Sequence, residues 1–151
     1  RALRLKVIRA SKEQLYSDGV HLFLEVKDPQ DFSKKERMVM RFFDRQCKEV
    51  FGEIVEELYP VFQKYGVAVP SLRIRSMDTR WGSCLPGKGV ITLNKRLLEA
   101  PRNCIEYVVM HELCHFIHPN HSKHFYAFLS MLMPDWKERK KVLDANDTYY
   151  L

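Results

Sequence analysis

Cysteine pairs, long apolar runs and low-complexity stretches are all missing from this chain of 151 residues. Its four cysteines, Cys47, Cys84, Cys104 and Cys114, stand singly and form no CxxC pair. That argues against a cysteine-built zinc site and against a disulfide framework, and it points to reduced thiols in the cytoplasm. No apolar stretch approaches the roughly 20 residues that a membrane-spanning helix needs. The opening Arg1-Ala2-Leu3-Arg4-Leu5-Lys6-Val7 is basic, but it has neither an uninterrupted apolar core nor a small-residue cleavage site, so it does not read as a signal peptide. The chain begins on Arg rather than Met, as expected of a processed or truncated product. No internal repeat is present, and the length suits one packed domain better than two.

A hydrophobic share of 46% fits a globular protein. The net charge of +6 points to anionic partners such as nucleotides, nucleic acid or acidic peptides. The pointer is weak, because lysines and arginines are spread along the chain and serve equally well as a solvated surface.

Residues 3 to 9 alternate as a strand, and His21 to Lys27 offer a second after a turn at Ser17-Asp18-Gly19, so residues 1–30 read as a β-hairpin. From Ser33 the period changes. Ser33-Lys34-Lys35-Glu36 has the form of a capping box, and Phe43, Cys47, Val50, Phe51, Ile54, Leu58 and Phe62 recur at helical spacing, predicting a long helix over 33–65. Ser71 to Met77 alternates again, with Arg73 and Arg75 on its polar face. With Val90 to Asn94 it predicts a small antiparallel sheet over 71–94. Arg73, Arg75, Arg80 and Lys88 could there receive phosphate oxygens, and an edge strand could instead hold an extended peptide. Helices are expected over 103–145, the first capped by Asn103 and Glu106, with a polar, frayed tail from Asp144.

Within that last region lies His111-Glu112-Leu113-Cys114-His115, an HExxH. On a helix, His111 and His115 stand one turn apart on one face, so two imidazoles can converge on one ion, and Glu112 can take a proton from water activated by it. The surrounding Ile105, Val108, Val109, Met110, Leu113 and Phe116 predict a buried helix, in which two histidines and a glutamate need a compensating partner. Core histidines with ordinary hydrogen-bond partners are the bland alternative. Against it, a chance HExxH in a chain of this size should occur well under about one time in a hundred. A third ligand must come from chain that folds back, because His118 lies about 10 Å along the axis from His111. Pro119 supplies the break, and His121 is the first histidine beyond it, at the spacing of a His-Glu-x-x-His-x-x-Gly-x-x-His site. His124 is the alternative third ligand. Three imidazoles leave a coordination position open, the catalytic rather than the structural form of a zinc site.

Arg80-Trp81-Gly82-Ser83-Cys84, Ile91-Thr92-Leu93-Asn94, Leu97-Leu98, Pro101, Tyr107-Val108-Val109, the HExxH, Asn120-His121-Ser122, Phe125 and Met133-Pro134-Asp135-Trp136 together resemble the YgjP-type family of zinc-dependent hydrolases, akin to SprT-like metalloproteases and compact gluzincin peptidases. The resemblance covers about residues 71–143, the first 70 matching in general layout only, and the N-terminal extension usual in the family is not seen. It implies an α+β fold, a compact zincin-like (minigluzincin-type) single domain over 1–151, with one zinc ion on His111, His115 and His121 and Glu112 as general base. Gluzincins use glutamate as third ligand, so the kinship concerns fold more than coordination. Arg80 and Tyr107 are candidates for stabilising an oxyanion, although Arg80 could pair with a carboxylate and Tyr107 could be core. Trp81 and Asn94 join them as candidate substrate contacts. Peptide bonds are the leading substrate, with a nucleoside triphosphate (pyrophosphatase chemistry) and a nucleic-acid-associated protease as the alternatives.

Overall fold

The most apolar strand of each sheet takes the central place. In the computed structural model, which describes residues 4–19 and 21–145, two three-stranded sheets and four α-helices form an α+β fold. The chain divides into two compact units, Arg1–Gln46 and Cys47–Leu151.

In the first unit β1 (Arg4–Arg9), β2 (Gln14–Ser17) and β3 (His21–Val26) pair in the order β1-β3-β2. The expected turn is present, with Gly19 in the left-handed region at φ 92°, where a side chain would be strained. The hairpin's first arm is β2, however, and β1 adds parallel to β3 on the far side. Leu22, Leu24 and Val26 put β3 in the buried middle, whereas Arg4, Lys6 and Arg9 suit β1 to an edge. Leu24 and Val26 pack with Met38, near the start of the long helix α1 (Phe32–Gln63). The predicted capping box is not used: Asp31 Oδ1 accepts from Lys34 N at 3.0 Å, so Asp31 occupies the place expected of Ser33.

In the second unit β4 (Ser71–Arg75), β5 (Gly82–Leu85) and β6 (Val90–Asn94) pair in the order β4-β6-β5. The sheet is mixed, not antiparallel throughout: β5 and β6 form a hairpin, and β4 lies parallel to β6. Leu72 and Ile74 stand opposite Ile91 and Leu93, so the apolar face of the sheet is continuous, and β6 is paired on both sides. This face meets α2 (Arg102–Cys114), whose eleven residues from Cys104 are all buried except Glu106. The cap expected from Asn103 and Glu106 does not form, because the helix starts at Arg102 with Pro101 in the cap position and no side chain capping it; Arg139 Nη1 instead donates to the backbone carbonyl of Asn103 at 3.1 Å and to Glu106 Oε1 at 3.0 Å. Arg139 belongs to α4 (Trp136–Asp144), and α3 (Lys123–Leu132) precedes it. Residues 146–151, the rest of the tail expected to fray, lie outside the described residues. Among the described residues no helix is long and apolar enough to cross a membrane.

Candidate metal centre

The α-helical hydrogen bonding of α2 stops at Cys114, and the next three residues tighten into i to i+3 bonds, His115 N to Glu112 O, Phe116 N to Leu113 O and Ile117 N to Cys114 O. Pro119 then turns the chain, and Ser122 restarts it by capping α3, its Oγ accepting from Phe125 N at 3.3 Å. The two events return His121 to the end of α2. One ligand atom from each of His111, His115 and His121 lies within 4.8 Å of the others, and the three rings are 4.7–5.1 Å apart between centroids. His124 does not join them; its ring stands beside His118 at 6.3 Å.

The chemistry of this donor set fits a metal ion. His115 Nδ1 faces the carbonyl oxygen of His118 at 3.1 Å, so it carries the proton and leaves Nε2 with a free lone pair. Burial lowers the pKa of His115 and of His121, and the other imidazoles of the group push the same way. Both rings are thereby kept neutral, as ligands must be. His111 Nδ1 and Glu112 Oε2 are buried, 3.4 Å apart, and neither has a hydrogen-bond partner among the described residues. A buried carboxylate left so is costly, and a nearby cation is the simplest compensation.

Phe125 is the member of this centre that its sequence does not announce. Wholly buried on α3, its ring lies 4.9, 4.6 and 5.1 Å from those of His111, His115 and His121. A second aromatic series, Tyr107, Trp136 and Tyr126, ends on His121 with successive centroid separations of 6.2, 5.5 and 6.1 Å. Nothing in a helical run of Phe and Tyr separates such residues from ordinary core.

The four candidate substrate contacts divide. Arg80 is exposed and close enough to His121 for its charge to help lower that pKa. Asn94, Trp81 and Tyr107 are buried instead, at 0%, 4% and 1% exposure, which corrects the expectation that they meet a substrate. Asn94 is spent on the loop before β5: its Nδ2 donates to Met77 O at 3.0 Å and Arg80 O at 2.8 Å, and its Oδ1 accepts from Arg96 N. Tyr107 has its hydroxyl pKa raised, first by burial. Arg73 and Arg75 alternate with the inward Leu72 and Ile74 and so occupy the face of the sheet turned away from α2, which removes them as a phosphate clamp at this centre. Cys84 and Cys114 are not nucleophiles here, because burial and the charge of Glu112 push both thiols up to about 12.

A buried helix bearing HExxH, a histidine returned to it by the following turn and a strand edge alongside define a zincin-type metallopeptidase fold. The chain belongs to the YgjP-like family: the model of the YgjP-like metallopeptidase domain matches residues 1–146, including the first 70 residues, which the motifs alone leave unassigned. Among solved structures it is similar to the zymogen of the metallopeptidase abylysin from Pyrococcus abyssi, at 21% identity and a TM-score of 0.59, over 67% of this chain and 98% of that one. It is likewise similar to the zymogen of jannalysin from Methanocaldococcus jannaschii, at 21% identity and 0.53, over 64% and 97%. None of the curated proteins compared with it matches.

Proposed function

We propose that this protein is a zinc-dependent peptidase in which His111, His115 and His121 hold the ion and Glu112 is the general base. The observation that carries the reading is the convergence of three imidazoles within 4.8 Å beside a buried carboxylate oxygen, Glu112 Oε2, without a hydrogen-bond partner. A bound zinc ion would supply Lewis acidity, lowering the pKa of a coordinated water and polarising the scissile carbonyl. Glu112 accepts the proton of the attacking water and passes it to the leaving amine. Its buried setting keeps bulk water from competing for that proton.

The peptide is held by β5. This strand pairs with β6 on one side, and its other edge presents main-chain donors and acceptors to an extended chain, independently of side-chain identity. Arg80, exposed just before β5, supplies a positive charge to a carbonyl oxygen or carboxylate of the bound peptide. Four free thiols agree with work in the reducing cytoplasm.

The test is a paired assay on zinc-loaded protein, an unfolded polypeptide against a nucleoside triphosphate, with Glu112→Gln as control. Polypeptide cleavage that falls by about a thousandfold or more in Glu112→Gln is expected. Pyrophosphate release that depends on Glu112, with no peptide cleaved, would replace this reading with a nucleotide hydrolase.

A further inference from the structure

The chain has six glycines, and five are explained by the backbone or by open space. Gly19, Gly66 and Gly89 have positive φ, and a Cβ added at Gly52 or Gly87 would meet nothing within 4 Å. Gly82 differs. Its φ is ordinary, yet a Cβ there would lie 3.2 Å from Glu112 Cγ, 3.2 Å from Val108 Cγ1 and 3.2 Å from the carbonyl oxygen of Thr92. The missing side chain is what lets β5 and α2 approach this closely.

We propose that Gly82 is a positioning residue for Glu112, its bare Cα forming the seat that holds the carboxylate at one depth beside the three histidines. The inference rests on the reading of Glu112 as general base. Of the three atoms a Cβ would press, Thr92 O belongs to the β5–β6 ladder and cannot shift without breaking pairing. Val108 is wholly buried and stiff about χ1. Glu112 Cγ, on the longest and most adjustable side chain of the three, is the atom that gives way.

The seat itself cannot retreat. Asn94 holds the carbonyls of Met77 and Arg80 with its side chain, and its backbone N donates to Trp81 O at 2.9 Å. Five residues of loop are thereby tied to the end of β6 immediately before Gly82 begins its strand.

Gly82→Ala should lower kcat for the polypeptide by about ten- to a hundredfold with KM changed less than about threefold, since a misplaced catalytic group costs chemistry rather than binding. Zinc affinity, measured by competition with a chromogenic chelator, should stay within about threefold, because the three atoms nearest the added methyl group belong to Glu112, Thr92 and Val108 and not to a ligand histidine. The readout that a merely structural glycine would not give is coupling: Gly82→Ala should lower the Tm of the metal-free protein about half as much, or less, when Glu112 is already Ala, because Cγ is gone. If Gly82→Ala alone does not fold, the Gly82→Ala/Glu112→Ala pair is expected to fold. Equal Tm losses in both backgrounds, two variants that both fail to fold, or a kcat like that of the parent protein would overturn the proposal. A parent protein that cleaves no peptide would sink the peptidase reading instead, leaving the Tm cycle to decide the seat.

Discussion

Three polar side chains are buried among the described residues, Asn94, His111 and Glu112. Two of them, His111 and Glu112, read from spacing as neighbours on one buried helix, because HExxH is a local pattern. Asn94 does not, since a polar residue ending a strand looks like surface until the loop it holds is seen. The histidines also set a pH dependence. Burial lowers the folded-state pKa of His115 and His121, so the unfolded chain binds protons more readily than the folded one. The stability they contribute is complete above the unfolded value of about 6.5 and is lost as pH falls through the folded values. Urea titrations of metal-free protein should therefore give a lower midpoint at about pH 5 than at about pH 7.5. A midpoint that is higher at the acid end would contradict the assigned shifts.

At the level of elements, α2 and the return of His121 are legible in the chain because Pro119 and the histidine spacing lie close together in it. Strand pairing is not. Local alternation places β1, β3, β4 and β6 correctly, but which strands neighbour one another, and that β1–β3 and β4–β6 run parallel, depends on contacts between distant segments. The composition of the strands still explains the outcome, with Leu22-Phe23-Leu24 and Ile91-Thr92-Leu93 central and the arginine-bearing strands outside. Helix α3 likewise looks like a plain amphipathic helix, yet it brings Phe125 against all three imidazoles. Phe125→Ala should cost about 3–5 kcal/mol of stability and weaken zinc binding, the first by the cavity it opens and the second by releasing the rings it packs. Denaturant unfolding and a chelator titration read the two effects separately. A loss of stability with unchanged affinity would reduce Phe125 to core packing.

For the molecule as a whole, every group of the centre lies in the unit Cys47–Leu151, while the family match runs through both units. The net charge of +6, which pointed to anionic partners, finds no focus at the centre beyond Arg80, since Arg73 and Arg75 occupy the opposite face of their sheet. We propose above all that this unit holds a single metal ion on His111, His115 and His121. Zinc titration against a chromogenic chelator tests that most directly, on the parent protein and on His121→Ala, whose exposed side chain can be removed with little cost to the fold. Saturation is expected at about one zinc per chain with a Tm that rises with zinc, and His121→Ala should keep its helical circular dichroism but bind about a hundredfold more weakly. Zinc bound as tightly by His121→Ala as by the parent, or no zinc bound by either, would contradict the proposal.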